Sequence, residues 1–132
     1  MRIAFATRDG TAVDAHFGWC PRLDVWEVTA TGARLAATHA FPPGAEDGDE
    51  DKLEPRIAAL AGCTIVYAAA IGGSASGRVR DARVHPARAA EGEPVAALVE
   101  RLRALLAGTP PPWLAKLAAE AEGRRPAEEG TP

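Results

Sequence analysis

Apolar and polar positions change register several times along the chain, and each register predicts a different element. Residues 2–7 (RIAFAT) form a short apolar run that stops at Arg8-Asp9-Gly10, as a central strand would. Residues 11–21 keep no period and contain Gly18 and Pro21, so they read as a loop. Residues 22–29 alternate, with Leu23 and Val25 on one side and Asp24, Trp26 and Val28 on the other. Ala30-Thr31-Gly32 then makes a hairpin-type connection to a second antiparallel strand over residues 33–41. Pro42-Pro43-Gly44 breaks the chain, and residues 46–51 are an acidic, solvent-facing loop. Leu53, Ile57 and Leu60 share one helical face, Asp51 and Glu54 stand at capping-box spacing, and Gly62 closes the helix.

Residues 63–70 (CTIVYAAA) are a continuous apolar run, the pattern of a strand buried on both faces. Gly72-Gly73-Ser74 leads into a helix carrying Ala75, Val79 and Ala82, and residues 83–88 form a short strand in which Pro86 marks an edge. Pro94 suits the first helical position, and Val95, Leu98, Val99, Leu102, Leu105 and Leu106 make the clearest amphipathic stripe in the chain. Gly108 and Pro110-Pro111-Pro112 stop it, and residues 113–122 predict a last helix. The expected architecture is a single α/β domain, a mixed five-stranded sheet with helices on its faces. The first, fourth and fifth strands are expected to be parallel, with the hairpin extending one side. Residues 1–108 form the main body, 109–122 a helical extension and 123–132 a polar, disordered tail.

Length and composition narrow the class. A chain of 132 residues, 47% hydrophobic and 25% charged, has material for one core. The longest apolar run, residues 65–71, is far short of the roughly 20 residues that span a bilayer. With no signal-peptide pattern and only Cys20 and Cys63, the chain reads as cytoplasmic with free thiols. A net charge of −3 does not point to nucleic acid.

Candidate chemistry concentrates at two places. The first loop holds Asp14, His16, Phe17, Gly18 and Cys20 within seven residues; His16 and Cys20 are metal-ligand types, although His-x-x-x-Cys matches no standard zinc or iron–sulfur spacing. Gly72, Gly73 and Ser74 join a buried strand to a helix, where backbone amides can approach an anion. Both lie at the carboxyl ends of strands expected to be parallel, where α/β sheets bind ligands. Arg8, Arg22 and Arg78 are near that mouth in sequence. Cys63 opens a buried strand and packs as a small hydrophobe would. His39 and His85 read as structural or solvent-facing. No Gly-x-Ser-x-Gly elbow is present, and the inner strands carry no carboxylates for a two-metal nuclease, so an enzyme is not expected.

Taken together, the opening strand, Val13-Asp14-Ala15-His16-Phe17-Gly18, Asp51-Lys52-Leu53, Gly62-Cys63 with Val66-Tyr67, Ile71-Gly72-Gly73 and Pro111-Pro112-Trp113-Leu114 resemble the dinitrogenase iron–molybdenum cofactor biosynthesis family, and within it the NifX-type branch. The resemblance covers about residues 1–117. It implies a ribonuclease H-like topology and a non-catalytic role in nitrogen fixation. That role is to bind iron–sulfur precursors of the iron–molybdenum cofactor and to store or carry them between the radical-SAM assembly protein NifB and the scaffold complex NifEN. Apo-dinitrogenase is a further partner that the resemblance suggests; no nucleic acid or membrane is implied. In this family the histidine of His-Phe-Gly, here His16, is linked to cluster binding, and Cys63 matches the Gly-Cys position. Members often carry another Cys after Val-Tyr; here it is Ala68. Cys20, near His16 in sequence, is a further candidate thiolate. The alternative reading is an interaction module that binds apo-dinitrogenase or the scaffold complex, with the cluster incidental.

Overall fold

The computed structural model describes residues 1–42 and 52–123. The acidic run at 46–51 and the tail from 124 onward lie outside them. Five strands form the main sheet: β1 (Arg2–Thr7), β3 (Arg22–Thr29), β4 (Gly32–Ala40), β5 (Ile65–Ala68) and β6 (His85–Arg88), in the order β4-β3-β1-β5-β6. β1 runs parallel to β5, and β5 to β6, while the β3–β4 hairpin pairs antiparallel to β1. This is the expected mixed sheet, with the first, fourth and fifth long strands parallel.

Alternation along β1 sorts side chains between two cores. Ala4 and Ala6 face a layer made by α1 (Leu53–Ala59) and α2 (Gly73–Asp81), where Leu53, Leu60, Ala75 and Val79 are buried. Ile3 and Phe5 face the other side, covered by α3 (Val95–Ala107) and α4 (Pro112–Gly123). Val95, Leu98, Val99 and Leu102 of α3 are all buried, each contributing on the order of 2 kcal/mol. Leu114 of α4 is fully buried in the same core, so the segment expected as an extension packs into the domain.

Several local expectations change. Residues 12–13 are not loop: β2 (Ala12–Val13) pairs with β7 (Glu93–Pro94) in a two-stranded sheet too short to leave a periodic trace. Pro94 is the N-cap of α3 rather than its first helical residue, because its ψ of 133° is extended. β6 begins at His85, since Arg83 adopts a left-handed φ of 66° in the turn that leaves α2. Asp51 of the anticipated capping box lies outside the described residues, and Glu54 pairs instead with Arg78 at 2.7 Å, joining α1 to α2.

Candidate functional site

The loop after β2 is fastened to the end of β5 by backbone alone. Ala69 donates to the Ala15 carbonyl (3.1 Å), Phe17 donates to the Ala70 carbonyl (2.9 Å), and His16 forms an isolated parallel bridge with Ala70. His16 is thus held at the carboxyl end of β5, two residues before Gly72. That residue is the N-cap of α2 and, being glycine, gives the helix's first amides no side-chain cap. Gly72, Gly73 and Ser74 are exposed there, and a Cβ on either glycine would meet nothing within 4 Å. The two candidate segments meet at one mouth, as expected for neighbouring strands.

His16 caps the short 3-10 turn Phe17–Trp19: its Nδ1 accepts the Gly18 N–H at 3.0 Å. An accepting Nδ1 carries no proton, so the neutral ring carries it on Nε2. Burial holds the His16 pKa below its usual 6.5, which favours that neutral form. One face of the ring lies on Trp19, whose side chain is 40% exposed. Phe17, by contrast, is fully buried and serves as the loop's apolar anchor.

The thiols are placed differently. Cys20 is wholly buried, and burial raises its pKa even though Arg56 is close. Cys63 is also buried, its thiol pushed up to about 11 by desolvation. It precedes β5, at the end opposite the mouth, on the order of 20 Å away at the usual rise per strand residue. Both are therefore neutral thiols in the core. Among the described residues, no three of His, Cys, Asp or Glu converge where a metal ion could sit.

The charges of the mouth also depart from expectation. Arg22 is committed to the buried carboxylate of Asp24 through two bonds of 2.7 and 3.0 Å, and Arg78 to Glu54. Two further cations stand beside the His16 loop. Arg56, buried although it lies on a helix surface by periodicity, donates twice to the Cys20 carbonyl (3.1 and 2.7 Å) and once to the Lys52 carbonyl (2.8 Å), and its guanidinium lies 4.6 Å from the Phe41 ring. Lys52 stands beside Trp19, its ammonium 6.0 Å from the indole centroid. Lys52 belongs to the Asp51-Lys52-Leu53 stretch that helps carry the family resemblance, but nothing in the sequence assigns it or Arg56 to the site, because both work through the backbone or a ring from another segment.

A family model described as dinitrogenase iron-molybdenum cofactor matches residues 1–105. The chain belongs to the dinitrogenase iron-molybdenum cofactor family. Within that family it is similar to the NifX protein of Herbaspirillum seropedicae, 47% identical over 117 residues that cover 88% of this chain and 80% of that protein. A stretch of the FeMo cofactor biosynthesis protein NifB of Rhodobacter capsulatus is 38% identical over 74 residues, 54% of this chain and 16% of that one. The solved structure of PH0822 shares the fold, with a TM-score of 0.57 at 19% identity, covering 83% of this chain and 91% of that one. No helix among the described residues is long and apolar enough to cross a membrane.

Proposed function

We propose that this family member is a non-catalytic cytoplasmic carrier of the iron–sulfur precursor of the iron–molybdenum cofactor. It would store the cluster or transfer it between NifB and the NifEN scaffold during nitrogenase cofactor biosynthesis. Its fold is read as ribonuclease H-like, on the strength of the β4-β3-β1-β5-β6 order with β3 alone antiparallel to the other strands. Support for the carrier role comes from the family, from the NifX relative, and from the sharing of this domain type with a NifB protein.

The observation that carries the reading is the placement of one half-buried histidine beside the uncapped start of α2. A single imidazole ligand and a set of backbone amides suit an anionic cluster that must be released again. The neutral tautomer adds to that reversibility. In the resting state Nε2–H can donate to a sulfide, whereas offering an Nε2 lone pair to iron requires the proton to move to Nδ1. The Gly18 bond is then given up, at about 1 kcal/mol. Phe17 and Gly18 hold the loop in shape, Gly72, Gly73 and Ser74 form the anion-facing edge, and His16 is the ligand. Cys20 and Cys63 would take part only if the core opened to expose and ionise them.

Anaerobic incubation with the isolated precursor, followed by iron counting and visible spectroscopy, tests the role. Uptake by the native chain and its loss in His16→Ala is the expected result; no uptake by the native chain overturns the reading. The second reading, a protein-interaction module, draws on Trp113. Its side chain is 46% exposed against His85 (centroids 6.3 Å apart), near a cleft of about 540 Å³ lined by Arg80, Arg83 and Leu117.

A further inference from the structure

Among the described residues near the mouth, the Lys52 ammonium stands out. Lys52 Nζ is shielded from solvent and makes no hydrogen bond; among the described residues the only other buried side-chain nitrogen or oxygen in that condition is Trp26 Nε1. An ammonium has three donors, and a shielded one that bonds to nothing is costly unless an acceptor arrives. Among the described residues, its compensation is the Trp19 ring at 6.0 Å, the outer limit of a useful cation–π contact. That same ring is stacked on His16.

The position of Lys52 is fixed by its backbone. Arg56 ties the Lys52 carbonyl and the Cys20 carbonyl to one guanidinium, so the start of α1 and the end of the His16 loop are held together while the Lys52 side chain stays uncommitted. Arg22 and Arg78, which proximity in sequence favoured for this task, already hold carboxylates.

We propose that Lys52 is the charge anchor of the cargo site. Its ammonium donates to a sulfide of an anionic iron–sulfur cluster seated against His16. This rests on the carrier reading and adds to it a binding residue and a charge requirement: the cargo is an anion that presents an acceptor to Lys52 as well as a metal to His16. A charge-assisted bond made only in the loaded state raises affinity without stabilising the empty protein.

The test uses the full chain and the isolated iron–sulfur precursor, titrated anaerobically at low and high salt and followed by the visible spectrum. Lys52→Met, which keeps the apolar stem, is expected to bind about tenfold more weakly with a shallower salt dependence and an unchanged absorption envelope. Lys52→Arg is expected to restore most of the affinity. Because no hydrogen bond of the empty protein is lost, Lys52→Met should melt at or above the native temperature. Unchanged affinity and salt dependence in Lys52→Met overturn the proposal while leaving the carrier reading intact. A clearly lowered melting temperature of the empty variant overturns it too, by making Lys52 a structural residue. Failure of the native chain to take up the cluster removes the carrier reading, and this proposal with it.

Discussion

The imidazole of His16 lies flat on the indole of Trp19, with ring centroids 4.0 Å apart and planes inclined by 7°. With Nδ1 bonded to Gly18 and one face on Trp19, the ring has a single direction left in which to meet a ligand. A preorganised ring loses little freedom on binding.

Replacing Trp19 removes that preorganisation. Trp19→Leu is expected to weaken cluster binding about three- to tenfold, the value of a stacked pair of about 0.5–1.5 kcal/mol. The apo protein should change little in stability, since the indole is 40% exposed. Anaerobic titration and thermal melting of the same variant separate the two effects.

The His16 tautomer gives a spectroscopic prediction. At pH 7 the nitrogen shifts of the apo protein should report Nε2–H, and on loading they should report Nδ1–H. The pH dependence follows from burial. The folded pKa lies below 6.5, so between the two values the unfolded chain binds more protons, and stability falls as pH drops through that window. His16→Gln should flatten that portion of the stability curve in denaturant titrations.

Arg56 has the largest expected effect on stability. Arg56→Met removes the guanidinium from the Phe41 ring and strips the Cys20 and Lys52 carbonyls of their donors. A loss of about 2–4 kcal/mol is expected in urea unfolding. A loss under about 0.5 kcal/mol would show that water replaces the guanidinium.

Both thiols should resist modification. Cys20 and Cys63 are buried and their pKa values raised, Cys63 to about 11, so iodoacetamide at pH 8 should label neither until denaturant is added. The unfolded chain releases these protons first, near pH 9, so stability declines as pH rises from there toward 11. Cys20→Ala combined with Cys63→Ala should take up as much iron as the native chain; a large deficit would return a thiolate to the site.

Much of the fold could be read from period alone. Ile3 and Phe5 against Ala4 and Ala6, and the stripe of α3, are runs whose spacing settles which face is buried. The two-residue strands β2 and β7 left no such trace, and the turn at Arg83 had no glycine to announce its left-handed backbone. At the site, the His16 loop and the Gly72–Gly73 junction stood out because their residue types are unusual for their positions. The cations did not. Arg22 and Arg78 are close to the mouth along the chain; Arg22 meets Asp24 two residues on along the same strand, whereas the partner of Arg78 depends on how α1 packs on α2. Lys52 belongs to the Asp51-Lys52-Leu53 motif, but its want of a hydrogen bond depends on packing that no spacing encodes.

Arg56 grips the two sides of the mouth by their main-chain carbonyls, and a carbonyl is the same whatever side chain stands beside it. The side chain at position 52 can therefore be exchanged without removing the carbonyls that the clasp holds. The chemistry at the rim is free to be rewritten, by drift or by design, on a frame that does not register the change.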